Sequence, residues 1–318
     1  MQPNALRNLA LRKNIDVSTI LRAINLAWSS TRCELEGHSI EYGIVLGSLN
    51  SVVSAVPQPY FHGPKLDLFQ LTCAKLLQNF GGLHDWSKSA LIIDRHRTKI
   101  EGIIELSALK TSDPYEYISG ITNSICIVTK RAYSVRVYYD GGFKIQYIFN
   151  RKSGVIEERI LDEFVPILIE WQIRPEVAMK VLDACLRVSE TQNGALILLG
   201  PLTDLGMLSE ASVKAVSAHI PETVVTLPLP NMIQHMIKDG ATWIDERGLV
   251  RGHGLTFVGP GGRHTIAKYV TSRSEKTTAV VVSQDGEITI FYGNTMKRLA
   301  SQTTDDCLFD QEVISGKP

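Results

Sequence analysis

Amphipathic and apolar segments follow one another in the same order in the two halves of the chain. In the first half, apolar residues recur at helical spacing between Val17 and Trp28, and the short apolar strand 43–47 follows. In the second half, Pro175 stands where a helix can begin. Apolar residues from Val177 to Leu186 then make one helical face, and 194–200 is the corresponding strand. The pattern predicts a helix followed by a buried strand in each half.

Each half then contains a predicted strand pair joined by a polar turn. The first pair is 89–94 with 100–106, and the second is 240–245 with 249–255. Gly43 and Asp94 are 51 positions apart, as are Gly194 and Asp245. The halves therefore agree in spacing as well as in order.

Continuous apolar strands follow these hairpins, at 125–129 and 279–283. Strands of this kind are typical of sheets that are buried on both faces. Asp140-Gly141 and Asp285-Gly286 are two-residue hairpin signals beyond them. We therefore predict an α/β protein with two tandem domains, each a mixed central β-sheet flanked by helices.

The chain length favours two domains, because 318 residues exceed the usual size of one. The predicted boundaries are 1–160 for the first domain, 170–302 for the second, and 303–318 for a polar C-terminal tail. The turn-like stretch 151–154 marks the junction.

Composition excludes some partners. Apolar residues make up 44% of the chain, charged residues 21%, and 33 basic residues balance 33 acidic ones. The densest basic run, 94–99, is short and begins with an acid, so we expect no nucleic-acid partner. The N-terminal stretch lacks the apolar run of a signal peptide, and no segment has the roughly 18 apolar residues of a membrane span. We expect a cytoplasmic protein without a membrane contact.

The five cysteines are widely separated and show no zinc-ligand spacing, which predicts buried, reduced thiols. His62, His84 and His96 likewise show no ligand spacing. Neither residue type predicts a metal centre of its own.

Candidate chemistry is concentrated at two places in the second half. Asp239-Gly240-Ala241 offers a carboxylate for a divalent metal and a backbone that a ligand can approach closely. The glycine-rich loop 259–264 precedes the predicted helix 265–271, and its arginine would add a bidentate phosphate contact at a helix N-terminus. Taken singly, Asp-Gly is most often a turn and glycine-rich loops are common without a ligand.

The combination and order of these motifs resemble the diadenylate cyclase domain from Val177 to Ala300. The motifs that carry the resemblance are 186–190, 194–197, Pro230-Asn231, 239–241, 262–264 and the strand ending at Ser283. The resemblance implies a nucleotidyltransferase that condenses two ATP molecules into cyclic di-AMP with release of pyrophosphate.

The resemblance also implies roles for particular residues. Asp239 would bind Mg²⁺ or Mn²⁺ near the attacking 3′-hydroxyl, Arg263 would hold the triphosphate, and His264 would lie beside the phosphates. The remaining residues of the predicted nucleotide site are Gly240, Ala241, Gly261, Gly262, Thr265 and Ser283. Two such domains meet face to face in this family, so a homo-oligomer through the second domain is expected.

The sequence departs from the family pattern in two ways. The family motif Gly-Thr-Arg-His-Arg is Gly-Gly-Arg-His-Thr at 261–265, which lacks one guanidinium. The first half has Lys88-Ser89-Ala90 in place of Asp-Gly-Ala. Arg95-His96-Arg97 has the letters of the family's phosphate motif, but it falls on the hairpin turn, so we interpret it as a solvated turn. The first domain therefore looks like a degenerate copy with a possible regulatory role.

Three functions stay open on this sequence. The first hypothesis, which we favour, is an active cyclase. The second is a weakened domain that senses ATP or a cyclic dinucleotide. The third is an interaction scaffold whose halves dock when a nucleotide binds.

Overall fold

The computed structural model describes residues 4–299, with gaps at 32–33, 36–37, 40, 57–59, 62–65, 73, 77–87, 97, 108, 112, 131–133, 151–154, 192, 260 and 275. The chain divides into two compact units. The first contains Met1–Phe149 and Ile156–Glu158, and the second contains Asn150–Val155 and Arg159–Ser301. The predicted turn 151–154, the tail 303–318, His62, His84 and three of the cysteines lie outside the described residues.

The first unit contains the helices α1 (Asn4–Lys13), α2 (Val17–Ser30), α3 (Leu49–Ala55) and α4 (Pro114–Ile121). Its strands are β1 (Glu34–Leu35), β2 (His38–Ser39), β3 (Gly43–Gly47), β4 (Tyr60–Phe61), β5 (Ser89–Asp94), β6 (Ile100–Glu105), β7 (Ile125–Lys130), β8 (Ser134–Tyr139) and β9 (Gly142–Asn150). With β10 (Val155–Ile160), these strands form a mixed sheet in the order β10-β9-β8-β7-β3-β5-β6-β4, beside the small pair β1-β2.

The second unit contains α5 (Leu161–Glu170), α6 (Pro175–Glu190), α7 (Glu210–Ala218), α8 (Leu229–Met236) and α9 (Arg263–Arg273). Its strands are β11 (Ala195–Leu199), β12 (Glu222–Thr223), β13 (Ala241–Ile244), β14 (Leu249–Leu255), β15 (Thr278–Val282), β16 (Ile288–Tyr292) and β17 (Thr295–Arg298). They form a second mixed sheet in the order β12-β14-β13-β11-β15-β16-β17.

The two sheets share one topology. Seven strands of the first sheet occur in the same order as the seven strands of the second, and β10 is the addition. In both sheets one parallel pair, β3 with β5 or β11 with β13, is flanked by antiparallel strands. The predicted fold class, two tandem α/β domains with mixed sheets and flanking helices, is confirmed.

The parallel pairs differ in register despite the equal spacing in sequence. Gly43 is the partner of Ala90 in the first sheet, whereas Leu196 is the partner of Ala241 in the second. Gly194 therefore lies just before the first residue of β11, at the end of this central strand, where there is room for the side chain of another residue.

Hairpin turns form where the two-residue signals predicted them. Asp140 and Gly141 adopt φ angles of 53° and 73°, the pair of positive values that a type I′ turn requires. Gly286, at φ 86°, closes the hairpin between β15 and β16. The first turn is as predicted. The second hairpin forms at the predicted place, but its loop is longer than two residues, because the Ser283 N–H donates to the Glu287 carbonyl and Asp285 does not adopt a positive φ.

The core of the second unit lies between its sheet and the helices α7 and α9. Buried apolar residues from β11, β13, β14 and β15 pack there, and Ala267 and Val270 face them from α9. Burial of this apolar surface is the main source of stability for the unit. The free cysteines among the described residues, Cys126 and Cys185, are buried, and burial raises the pKa of both thiols.

Within the described part of the chain, no helix is both long and apolar enough to cross a membrane.

Candidate functional site

A cavity of about 360 Å³ opens at the ends of the central strands of the second sheet. It lies at the N-terminal ends of the parallel strands β11 and β13, beside the C-terminal end of β14 and the start of α9. Its volume is within the range of small-molecule sites. The described residues that line it are Leu196, Asp239, Gly240, Ala241, Leu255, Thr256, Phe257, Gly259, Gly261, Gly262, Arg263 and Ile266.

Gly240 fixes the position of Asp239 at the cavity rim. Its φ angle is +105°, and a Cβ atom placed on it would lie 2.5 Å from the carbonyl carbon of Gly254 and 2.7 Å from the carbonyl oxygen of Leu255. Glycine is required because both the backbone angle and the space exclude a side chain. The Asp239 side chain is exposed, and no ion pair or hydrogen bond holds it within the described residues.

Arg263 is the first residue of α9 and lies over Gly194. A Cβ atom on Gly194 would be 2.2 Å from Nη1 of Arg263, so the glycine leaves the space that the guanidinium fills. Among the described residues, no partner forms an ion pair or a hydrogen bond with this guanidinium. The side chain is half-buried, so the cavity has one positive charge available for a ligand.

The N-terminus of α9 adds backbone donors next to Arg263. Gly262 is the N-cap residue, and it has no side chain that could accept from the first N–H groups of the helix. Uncapped N–H groups at a helix start attract anions. The loop Gly261-Gly262 and Arg263 thus form one positively polarised wall of the cavity.

The lining residues Thr256, Phe257 and Gly259 belong to a segment that hydrogen bonds tie to the 3₁₀ turn Leu205–Met207 and its neighbours. The backbone N–H of Val258 donates to the Met207 carbonyl at 2.9 Å, and Ser209 N–H donates to the Thr256 carbonyl at 2.9 Å. The Thr256 N–H donates to Oγ of Ser212 at 2.8 Å. These bonds fix the segment that connects β14 to the glycine-rich loop.

Six of the nine predicted site residues line the cavity, and three do not. Thr265 lies against the loop instead, because a Cβ atom on Gly261 would be 2.9 Å from Cβ of Thr265. His264 is exposed, with its ring edge-on to Phe291 at 5.9 Å between centroids. Ser283 follows Val282, the partner of Ala195, at the same edge of the sheet, and its backbone closes the β15–β16 turn.

The donor set of the cavity suits a hard divalent cation only with help from a ligand. Asp239 is the one carboxylate that lines the cavity among the described residues, and they contain no group of three His, Cys, Asp or Glu side chains that could hold a metal ion. Mg²⁺ is commonly held by one or two carboxylates together with substrate phosphates. Asp239 alone would therefore hold such a cation only together with oxygen atoms from a bound ligand.

Sequence reasoning missed the apolar walls and a cluster of three histidines near Asp239. His253 on β14 stacks on His235 at 4.5 Å between centroids and meets His219 edge-on at 5.5 Å. Burial lowers the pKa of His253, and the ammonium of Lys238, 3.4 Å from Nδ1, lowers it further. The three histidines come from separate elements, so spacing in the sequence did not reveal them.

A tyrosine lies over the corresponding glycine in the first unit. A Cβ atom on Gly43 would lie 2.2 Å from Cε1 of Tyr115, the second residue of α4. The Tyr115 hydroxyl donates to the Ser89 carbonyl at 3.3 Å, and burial raises the pKa of Tyr115. Gly43 corresponds in sequence, though not in register, to Gly194, and Tyr115 lies over Gly43 as Arg263 lies over Gly194.

Comparisons with known proteins give partial structural likeness only. No protein-family model and no curated protein matches the chain. A double cysteine mutant of DacA from Staphylococcus aureus has 18% sequence identity and a TM-score of 0.31, with 39% of this chain and 87% of that chain covered. A hypothetical membrane spanning protein from Bacillus cereus has 18% identity and a TM-score of 0.30, with 38% of this chain and 62% of that chain covered.

Proposed function

We propose that the second unit binds ATP in the cavity at Asp239 and Arg263 and condenses two ATP molecules into cyclic di-AMP. The observation that carries this proposal is the convergence of two separate motifs on one cavity. Asp239-Gly240-Ala241 and Gly261-Gly262-Arg263 are distant in sequence, and both line it. The order of these motifs along the chain resembles that of the diadenylate cyclase domain.

The charges of the cavity suit a phosphate ester. The Arg263 guanidinium and the free N–H groups at the start of α9 would bind phosphate oxygens, and they carry no competing partner among the described residues. Preorganised donors of this kind stabilise negative charge as it develops during phosphoryl transfer. Arg263 would therefore contribute to binding and to turnover.

Asp239 would hold the divalent metal of the reaction. When bound, Mg²⁺ or Mn²⁺ neutralises charge on phosphate oxygens and lowers the pKa of a coordinated hydroxyl. In the proposed reaction the 3′-oxygen of one ATP forms a bond to the α-phosphorus of the other, and the bond to pyrophosphate breaks. Repetition with the roles exchanged closes the ring and releases a second pyrophosphate.

The reaction needs two equipped sites, and each chain offers one. Tyr115 lies over Gly43 in the first unit, and Lys88-Ser89-Ala90 replaces the acidic motif there. The proposal therefore requires two chains that present their second units to each other. The first unit is left for a regulatory role.

A nucleotide sensor is the second candidate, and the cation count of the cavity favours it. Arg263 is the one basic residue among the described lining residues, and Thr265 packs on Gly261 where the cyclase motif has a second arginine. Loss of a positive charge that interacts more strongly with the transition state than with bound ATP lowers turnover more than it lowers ATP binding. A sensor would keep the binding and lose the reaction.

Incubation of the full-length protein with ATP and Mn²⁺ separates the two candidates. We expect cyclic di-AMP, detected by mass spectrometry, from the wild type and none from Asp239→Asn, which keeps the side-chain shape and loses the charge. The matched control is Asp204→Asn, a carboxylate that caps a 3₁₀ turn of the same unit through the Gly206 N–H. Equal product from wild type and Asp239→Asn would refute the catalytic assignment, and ATP binding without product would support the sensor.

A further inference from the structure

The first unit has a larger cavity that the proposed reaction does not use. Its volume is about 730 Å³, and it lies between the corner of α1 and α2 and the turn that joins β5 to β6. Small-molecule sites commonly have volumes of 300 to about 1,000 Å³. The cavity is distinct from the position filled by Tyr115, which does not line it.

Local hydrogen bonds build the helical wall of this cavity. At the end of α1, Asn14 adopts φ 51°, its N–H donates to the Leu11 carbonyl, and the Ile15 N–H donates to the Ala10 carbonyl. This pair of bonds is a Schellman ending, which turns the chain sharply. Asp16 then caps α2 by accepting from the Ser18 N–H at 2.8 Å.

Hydrogen bonds also fix the facing wall. Arg22 on α2 donates to the carbonyls of Phe69 and Leu71, and so ties α2 to the 3₁₀ turn Leu68–Gln70. The Leu68 N–H donates to the Thr98 carbonyl at 2.7 Å, which joins the same turn to the β5–β6 hairpin. The cavity is therefore lined by elements that are bonded to one another.

The lining combines positive charge with apolar surface. Arg7, Arg95 and His96 line the cavity together with the amide of Asn14, and Leu11 and Phe69 give apolar walls. Leu11 and Phe69 are 81% and 47% exposed, a high exposure for residues of these types. Asp16 is the carboxylate in the described lining, and its oxygen already accepts from the N–H and the Oγ of Ser18.

Arg95 is the residue that points to a ligand. Its Nε is shielded from solvent and has no hydrogen-bond partner among the described residues, and the half-buried side chain lines the cavity. A buried donor without an acceptor is unfavourable, so such atoms in native proteins call for a partner. An anion in the cavity would supply that acceptor.

We propose that this cavity binds a small organic phosphate, with the phosphate on Arg95 and an apolar body against Phe69 and Leu11. The guanidinium fork matches phosphate oxygens bidentately. Arg95 is thus a ligand-binding residue of the first unit, independent of whether the second unit is a cyclase or a sensor.

Isothermal titration of the full-length protein with phenyl phosphate tests the proposal. We expect saturable binding that falls about tenfold or more in Arg95→Ala, since a charge-assisted contact is lost, and that falls less in Phe69→Ala. Lys99→Ala is the matched control, because it removes a basic residue of the same hairpin that does not line the cavity. Lys99→Ala should bind as the wild type does, and the titrations are repeated in an Arg263→Ala background so that phosphate held by the second unit does not contribute to the signal.

Related probes separate the phosphate from the apolar body. Inorganic phosphate and phenol should each bind more weakly than phenyl phosphate, and benzoate should do so as well. Arg95→Lys keeps the charge but loses the planar guanidinium, so it should give intermediate affinity. In the wild type, the ¹⁵Nε–H resonance of Arg95 should shift on titration, and its absence from the Arg95→Lys spectrum assigns it. Absence of saturable binding, equal affinity of Arg95→Ala, or benzoate that binds as tightly as phenyl phosphate would overturn the proposal.

Discussion

Substitution of Gly240 by alanine should destabilise the site far more than the loss of one hydrogen atom suggests. The added Cβ would meet backbone atoms of Gly254 and Leu255 at 2.5 and 2.7 Å, and backbone cannot rotate away as a flexible side chain can. The φ angle of +105° is also one that L-residues rarely adopt.

The two effects can be added to give a magnitude. An unfavourable backbone conformation costs on the order of 1 to 3 kcal/mol, and overpacking of a filled site costs a similar amount. Gly240→Ala should therefore lower the free energy of unfolding of the second unit by about 2 to 6 kcal/mol. Gly262→Ala is the matched control, because Gly262 lines the same cavity at φ −74° with no atom within 4 Å of the added Cβ. Its cost should stay near 1 kcal/mol, the typical penalty for alanine at an N-cap.

Hydrogen–deuterium exchange with mass spectrometry of peptides resolves the effect by region. In Gly240→Ala, peptides that cover β13 and β14 should exchange faster, whereas peptides that cover β7 of the first unit should be unchanged. The same peptides in Gly262→Ala should behave nearly as in the wild type. If Gly240→Ala exchanged no faster than Gly262→Ala, the close approach of Gly240 to β14 would be wrong.

Two further predictions concern charged groups outside the cavity. Arg159 is 1% exposed and donates to Oγ of Ser189 at 3.0 Å and to the carbonyl of Gly286 at 2.8 Å. Arg159→Ala should lower the unfolding free energy of the second unit by about 2 to 4 kcal/mol in urea titrations, and a change below about 0.5 kcal/mol would contradict it. Asp140 accepts a hydrogen bond from Lys13, which lowers its pKa below the ordinary 3.8. Its stabilising contribution is thus present above pH 3.8 and is lost as the pH falls through the folded value, so Asp140→Asn should be less stable than wild type at pH 7 and converge with it in acid. A constant difference across that range would contradict this assignment.

Periodicity and turn chemistry were sufficient to predict the fold. The strand 43–47 and the hairpin turns at Gly141 and Gly286 form where predicted, because continuous apolar runs and Asp-Gly pairs act locally. The shared strand order of the units follows from the same repeated segments. The register of the parallel pairs could not be predicted, because long crossover segments join these strands and no short turn fixes their alignment.

The candidate site was predictable only in its motifs. Asp239 and Arg263 were identified by residue type and order. The packing of the Arg263 guanidinium against Gly194 is a tertiary contact, so the sequence did not show it. Tyr115 lies over Gly43 in the first unit, and nothing in its helical segment distinguishes it from an ordinary core tyrosine. The lining role of Arg95 was missed as well, because the motif around it was interpreted as a solvated turn.

The affinity for ATP of the wild type, Arg263→Ala and Arg273→Ala, measured by calorimetry with Mg²⁺, tests the central claim most directly. Both arginines lie on α9, but Arg273 is at its C-terminal end and packs over the Tyr269 ring at 4.5 Å. We predict that Arg263→Ala weakens ATP binding by about 1.5 to 3 kcal/mol, on the order of 10- to 150-fold, because a charged contact to phosphate is lost. Arg273→Ala should bind ATP as the wild type does. Equal affinity of Arg263→Ala and wild type would contradict the claim that the cavity at Asp239 and Arg263 holds the nucleotide.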